Sequence, residues 1–172
     1  LSRGVRIVLI SGPSSSGKTT SAKRLGIQLG VLGLKPVLIS LDDYFVEREK
    51  TPRDEKGDYD FEALEAVDVE LFNDHLNRLL KGETVRIPRY NFITGKREFH
   101  EQPLQMEERS VLVIEGIHGL NPKLTPHVAA DMKFKIYVSA LTSIAMDNLN
   151  RIATTDSRLI RRIVRDHRTR GN

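Results

Sequence analysis

The chain has 172 residues, of which 39% are hydrophobic and 29% charged, and its formal net charge at pH 7 is +4. These values are ordinary for one globular domain, and the absence of cysteine excludes a disulfide framework and a zinc–thiolate site. No apolar run is long enough to cross a membrane. We therefore expect a single cytoplasmic domain over residues 1–172 that has no membrane partner.

The first predicted strand leads directly into a candidate phosphate-binding loop. Val5–Ile10 is a short, β-branched apolar run that is typical of a buried strand. Gly12–Thr19 matches the pattern G-x-x-x-x-G-K-[ST] at every fixed position. A helix is predicted over Thr19–Leu32, with an apolar side made of Ala22, Leu25, Ile27, Leu29 and Leu32.

This strand–loop–helix order predicts a nucleoside triphosphate site with Mg²⁺. The loop glycines let backbone N–H groups turn toward phosphate oxygens, and the helix N-terminus adds partial positive charge. Lys18 is expected at the β- and γ-phosphates and the Thr19 hydroxyl on Mg²⁺. The expected nucleotide contacts are Gly12, Ser14, Ser15, Ser16, Gly17, Lys18, Thr19 and Thr20.

The rest of the chain alternates predicted strands and helices. The further strands are Pro36–Leu41, Ser110–Glu115 and Phe134–Ser139, and the further helices are Phe61–Lys81, 141–152 and 157–170. A charged loop is predicted between the second strand and the second helix, over Asp42–Tyr59. A hairpin is predicted from 85–88 and 96–99. Such alternation predicts a mostly parallel sheet covered on both faces, with ligands at the carboxyl ends of its strands.

Acidic residues follow two of these strands. Asp42 closes the second strand, and a carboxylate there would face the triphosphate, orient an acceptor hydroxyl and help to hold Mg²⁺. An acidic cap or loop pair is the alternative interpretation. Glu115 is the last residue of its predicted strand and follows four apolar residues. We predict that it lies near the metal ion, and a carboxylate that faces solvent is the alternative interpretation.

Arginines are concentrated on the last predicted helix. Arg158, Arg161, Arg162 and Arg165 are spaced i, i+3, i+4 and i+7, so they share one helix face. Guanidinium groups suit phosphate oxygens and the charge of a transition state. A solvated basic face or an RNA-binding face would show the same spacing.

Six segments, in order, resemble the uridine kinase and phosphoribulokinase family of P-loop kinases. The segments are Gly12–Thr19, Ile39–Phe45, Tyr59–Glu62, Ile87–Phe92, Ile114–Ile117 and Thr155–Asp166. The resemblance implies an α/β fold, namely the P-loop NTPase three-layer sandwich with a mostly parallel sheet, and a β-hairpin in the substrate region. It also implies ATP and Mg²⁺ as cofactors.

The resemblance also implies residue roles. Catalysis is expected from Lys18, Asp42, Arg161 and Arg165, with Arg162 binding the nucleotide and with Thr19, Asp42 and Glu115 as metal ligands. Substrate contacts are expected from Phe45, Phe61, Glu62, Tyr90, Phe92 and Arg158, of which Glu62 would hold ribose hydroxyls and the two hairpin aromatics would pack on a pyrimidine.

The sequence departs from the family pattern at several positions. Asp43 stands where the family has serine, and Glu62 where it has aspartate. Gly95 stands where uridine kinases have a histidine that contacts the base, and His100 lies at the wrong spacing to replace that histidine. The family fold continues after the arginine helix, so we expect this chain to be part of a longer protein, truncated at its C-terminal end.

The sequence favours a kinase that transfers phosphate from ATP to a hydroxyl of a small metabolite, such as the nucleosides uridine or cytidine. Pantothenate and sugar phosphates remain as alternative acceptors. A second hypothesis is an NTP-binding regulatory or RNA-associated module. The presence of Lys18, Thr19, Asp42 and Glu115 together favours the kinase. We expect no nucleic-acid partner and allow for a homo-oligomer.

Overall fold

A computed structural model describes residues 4–139 and 144–169. Its centre is a four-stranded parallel sheet of order β2–β5–β1–β6. The strands of this sheet are β1 (Ile7–Ser11), β2 (Lys35–Ser40), β5 (Ser110–Glu115) and β6 (Lys133–Tyr137). Two antiparallel pairs lie outside the sheet, namely β3 (Pro88–Asn91) with β4 (Lys96–Phe99) and β7 (Ile144–Ala145) with β8 (Arg151–Ile152). The helices are α1 (Lys18–Val31), α2 (Val69–Leu80) and α3 (Thr154–Thr169).

The two central strands separate the hydrophobic core into two layers. Every residue of β1 and β5 is buried, as the near-continuous apolar runs of central parallel strands require. Ile7 and Leu9 of β1 face the layer that contains α2, whereas Val8 and Ile10 face the layer that contains α1. The predicted α/β sandwich of three layers is therefore confirmed.

Helix α1 buries a narrower strip than its sequence predicts. Ala22, Gly26 and Leu29 face the sheet, and a Cβ on Gly26 would lie 3.3 Å from Leu38 Cδ1, so the helix approaches β2 closely. Ile27 and Leu32, which we predicted on the apolar side, are 65% and 69% exposed. Because α1 approaches β2 closely through these small residues, only a narrow strip of the helix is buried against the sheet.

Helix α2 starts eight residues later than predicted. Asp68 is its N-cap, and the Asp68 side chain accepts a hydrogen bond from the Leu71 N–H at 3.0 Å. The preceding segment contains turns and a 3-10 helix, Leu64–Ala66, instead, and Val67 after it forms an antiparallel bridge to Phe45. The predicted loop after β2 is also only partly exposed, because it begins with a 3-10 turn, Leu41–Tyr44, whose apolar side chains are buried.

The helix predicted over 141–152 is wrong for residues 144–152, which form the β7–β8 pair; residues 141–143 lie outside the described part of the chain. Asp147 accepts hydrogen bonds from the backbone N–H groups of Leu149 and Asn150 at 2.8 and 2.6 Å. A hydrogen bond from the Asn150 side chain at 2.7 Å, together with these two, lowers the pKa of Asp147. Such side-chain bonds give the backbone an alternative to a helix.

None of the helices in the two described ranges is long and apolar enough to cross a membrane.

Burial in these layers predicts unequal effects of two leucine substitutions. Leu79 on α2 is fully buried, so Leu79→Ala is expected to lower the free energy of unfolding by about 2–5 kcal/mol. Leu32→Ala is the matched control, and its effect is expected within about 0.5 kcal/mol because the side chain is exposed. Urea unfolding followed by circular dichroism measures both, and equal losses would contradict the assigned layers.

Candidate active site

The parallel register brings three segments to one edge of the sheet. Glu115 is paired in register with Ile10 of β1 and with Ser40 of β2. The phosphate-binding loop follows β1, and the 3-10 turn with Asp42 follows β2. The predicted groups at the ends of these strands therefore meet at the carboxyl edge.

The phosphate-binding loop depends on close packing and on a left-handed glycine. A Cβ on Gly12 would lie 2.1 Å from the Val138 carbonyl oxygen, so no side chain fits there. Gly17, with φ of +97°, precedes α1 and turns the chain into the helix. The Ser15 and Ser16 hydroxyls are buried and lack a hydrogen-bond partner within the described residues, which fits them to oxygens of a bound phosphate.

Glu115 connects the strand edge to α1. Its Oε1 accepts hydrogen bonds from the Thr19 hydroxyl at 2.8 Å and from the Ser40 hydroxyl at 3.0 Å. Burial raises the pKa of this carboxyl, and the hydrogen bond from Thr19 opposes the rise. The geometry rules out the alternative of a solvent-facing acid.

The oxygen groups of Thr19, Asp42 and Glu115 suit Mg²⁺, which prefers hard oxygen ligands and usually takes few of them from protein. Within the described ranges, no group of three or more His, Cys, Asp or Glu side chains forms a metal cage. Residues 19 and 115 are already in contact, and Asp42 lines the same cavity. The donor set fits a cation shared with nucleotide phosphates.

A cavity of about 520 Å³ lies between the loop and α3. Its lining residues are Ser15, Gly17, Lys18, Thr19, Thr20, Asp42, Glu115, Ile160, Arg161, Val164, Arg165 and Arg168. Burial lowers the pKa of Lys18, while Glu115 and Asp42 oppose the change. The Lys18 ammonium donates to the Pro13 carbonyl at 3.1 Å, which keeps it folded over the loop.

The arginines of α3 do not all face this cavity. Arg161 and Arg165 line it, and so does Arg168, which sequence reasoning missed although it continues the i, i+4, i+7 spacing. Arg162, which we predicted to bind the nucleotide, does not line the cavity. It forms an ion pair with Glu62 at 3.7 Å instead. Arg158, predicted at the substrate, donates from Nε to the Ser14 carbonyl at 3.3 Å.

The predicted substrate aromatics form one cluster beside the Asp42 turn. The Phe45 ring contacts Phe61, Tyr90 and Phe92 at centroid distances of 5.5, 5.6 and 6.1 Å. Tyr90 and Phe92 are 5.0 Å apart. Phe45 and Tyr90 are almost fully buried, whereas Phe61 and Phe92 keep partial exposure. The partly exposed rings are therefore the ones available to an incoming acceptor.

Asp43, which follows Asp42 in the same 3-10 turn, lies beside the hairpin. It is half-buried. Burial raises the pKa of Asp43, and the backbone of Tyr90 opposes the rise. Asp43 thus lies where the turn that carries Asp42 meets the hairpin that carries Tyr90.

Arg48 occupies the space at the hairpin tip next to Gly95. Its guanidinium donates to the Phe92 carbonyl, and its backbone N–H donates to the Gly95 carbonyl at 2.9 Å. A Cβ on Gly95 would lie 2.8 Å from Arg48 Cβ and 2.9 Å from Arg48 Nε. The sequence shows Arg48 only as part of a charged loop and carries no signal for this contact.

This contact predicts that residue 95 does not tolerate a side chain. Gly95→His is expected to lower the thermal midpoint, because φ is +70° and Arg48 fills the space; strain at such a position costs on the order of 1–3 kcal/mol. Gly57→His is the matched control, since Gly57 has φ of +86° with nothing near its Cβ. Loss of stability no greater than in the control would contradict the steric part of this account.

Comparison with known proteins agrees with this geometry. The sequence model of the Phosphoribulokinase / Uridine kinase family matches residues 7–172. A uridine kinase of Mycoplasma pneumoniae is 31% identical over 160 residues, which cover 93% of this chain and 66% of the relative. A uridine kinase of Clostridium botulinum strain 657 is 28% identical over 165 residues, with coverages of 96% and 70%. The chain thus spans about two thirds of the length of these curated relatives.

Solved structures show the same fold. A possible uridine kinase from Bacillus stearothermophilus aligns with a TM-score of 0.61 and 28% identity, covering 78% of this chain and 70% of that one. A putative fructose transport system kinase from Silicibacter sp. TM1040 aligns with a TM-score of 0.63 and 22% identity, covering 95% and 74%. At that identity the second similarity shows the fold alone. The family match over residues 7–172 shows that this chain belongs to the phosphoribulokinase / uridine kinase family.

Proposed function

We propose that this protein is an ATP-dependent kinase that phosphorylates a hydroxyl of a small metabolite, and that the acceptor is a nucleoside such as uridine or cytidine. One observation carries the proposal: Lys18, Thr19, Asp42 and Glu115 line one cavity beside the phosphate-binding loop. The uridine kinases among the relatives support a nucleoside as the acceptor.

Each of these residues has a defined task in phosphoryl transfer. The loop N–H groups and Lys18 stabilise the charge that develops on the γ-phosphoryl group. Thr19 and Glu115 would hold Mg²⁺, which when bound would neutralise negative charge on the phosphates. Asp42 orients the acceptor hydroxyl and accepts its proton, since its carboxylate faces the same cavity.

Helix α3 closes the cavity opposite the loop. Arg161, Arg165 and Arg168 bring cationic groups to the phosphate end, and Ile160 and Val164 add apolar cover. Exclusion of water matters in this reaction because water would compete with the acceptor for the phosphoryl group. A module that only binds a nucleotide would need the loop but would have no use for Asp42.

The neighbouring carboxylates Asp42 and Asp43 predict a clear separation of roles. Asp42→Asn is expected to reduce kcat by about 10²-fold or more, the typical contribution of a general base, with little change in ATP affinity. Asp43→Asn is the matched control, because it makes the same chemical change at the neighbouring residue of the same turn. Steady-state kinetics with a titrated nucleotide measure both effects. Small and equal losses would show that the catalytic carboxylate lies elsewhere.

An acceptor panel tests the nucleoside directly. We expect ADP release with uridine and cytidine, and kcat/KM values within about tenfold of each other, because Gly95 offers no side chain to read the base edge. Adenosine, ribose and pantothenate complete the panel. Activity with pantothenate alone would overturn the nucleoside assignment. Nucleotide binding without ADP release above background for any acceptor would favour the regulatory or RNA-associated module instead.

A further inference from the structure

One side chain of the hairpin reaches the segment that follows Asp42. Arg97, on β4, donates from Nε to the Phe45 carbonyl at 3.2 Å, and its Nη1 lies 2.9 Å from Asp68 Oδ2. The side chains of Arg97 and Asp68 are only 15% and 28% exposed. The other three residues of β4 are exposed, so Arg97 is the residue of this strand that fastens it to the domain.

Asp68 is itself fixed from two further directions. Its Oδ1 caps α2 through the Leu71 N–H at 3.0 Å, and its own backbone N–H donates to the Tyr44 carbonyl at 2.8 Å. Both carboxylate oxygens are therefore used, one by the helix and one by Arg97. The start of α2, the end of the Asp42 turn and β4 converge on this one ion pair.

The partial burial and the double contact make this pair stronger than surface pairs. Exposed ion pairs contribute little because solvent screens them and long side chains lose freedom. A guanidinium that donates hydrogen bonds to two fixed partners is held more rigidly than one that donates to a single partner. Arg97 is therefore suited to setting a distance between elements.

That distance matters for the proposed reaction. The hairpin carries Tyr90 and Phe92 of the aromatic cluster, while the 3-10 turn carries Asp42 three residues before Phe45. The other strand of the hairpin, β3, packs against the same 3-10 turn, so both strands adjoin it. Small displacements between an acceptor and a catalytic carboxylate reduce rates strongly.

Resting on the proposed function, we propose that Arg97 is a positioning residue for phosphoryl transfer. Through Phe45 and Asp68 it holds the aromatic hairpin at the spacing from Asp42 that an acceptor needs. Within the described residues, the hydrogen bonds and ion pair of Arg97 go to Phe45 and Asp68, and Arg97 does not line the cavity, so we expect its effect on the acceptor side.

The test compares Arg97→Met with Arg78→Met. Arg78 is an arginine of α2 that makes ion pairs with Asp74 and Glu83 at the surface, which makes it a matched control. Arg97→Met is expected to lower kcat/KM for the acceptor by about 10–100-fold, mainly in kcat, and to leave the KM for ATP unchanged. Arg78→Met is expected to leave both unchanged. Arg97→Lys keeps one donor and the charge, so partial rescue is expected.

A double-mutant cycle tests the route through Asp68. Asn caps helices about as well as Asp, so Asp68→Asn keeps the N-cap and removes the ion pair. If Arg97 acts through Asp68, Asp68→Asn alone lowers kcat/KM, and the double variant is no worse than Arg97→Met. Additive losses would overturn that route.

Hydrogen exchange provides a readout that does not depend on the acceptor. In Arg97→Met, backbone amides of β3 and β4 are expected to exchange faster, while those of β1 stay protected. Unchanged exchange in the hairpin, full acceptor kcat/KM in Arg97→Met, or a parallel loss for ATP and acceptor would each overturn the proposal. Wild-type protein that phosphorylates no acceptor would instead overturn the proposed function, and the exchange result would still decide whether Arg97 fastens the hairpin.

Discussion

The hydrogen bonds that Glu115 accepts from Thr19 and Ser40 hold the phosphate end of the candidate site together. They join the end of β5 to the start of α1 and to the end of β2. A buried carboxylate is costly unless donors or a cation compensate it, and its raised pKa reflects that cost. The two hydroxyls and the nearby Lys18 supply part of the compensation, and Mg²⁺ would supply the rest. The phosphate-binding loop, which precedes α1, and the turn with Asp42, which follows β2, therefore adjoin this junction.

The acceptor side depends on a different set of contacts. The aromatic cluster of Phe45, Phe61, Tyr90 and Phe92 lies on the hairpin and on the segment after Asp42. The hydrogen bond from Arg97 to the Phe45 carbonyl and the packing of β3 on the 3-10 turn bind these elements to each other. The two halves of the site therefore meet at the 3-10 turn, Leu41–Tyr44, which connects the strand edge to the cluster.

The sequence predicts the nucleotide end well. The loop pattern has fixed spacing, and β5 matches its predicted bounds because a continuous apolar run between polar residues marks a buried strand. The start of α2 and the β7–β8 pair could not be predicted in this way. In both cases an aspartate, Asp68 or Asp147, bonds backbone N–H groups, and its effect depends on tertiary surroundings that periodicity does not report.

The acceptor end is less predictable for the same physical reason. Arg48 at the hairpin tip and Arg97 at the ion pair contact partners that lie 44 and 29 residues away in sequence, respectively. Local spacing carries no signal for such contacts. The α3 arginines show the reverse limit, because spacing places them on one face but does not tell which of them turn toward the loop. Arg162 pairs with Glu62 instead.

The proposed function requires that Glu115 couple a bound cation to the nucleotide. Calorimetric titration with a non-hydrolysable ATP analogue, with and without Mg²⁺, tests it in the wild type and in Glu115→Gln. The amide variant keeps an oxygen for the Thr19 and Ser40 hydroxyls but removes the charge. We predict that Mg²⁺ strengthens binding to the wild type by about tenfold or more, equal to about 1.4 kcal/mol, and that Glu115→Gln loses most of this gain. An equal Mg²⁺ effect in both proteins would contradict the claim.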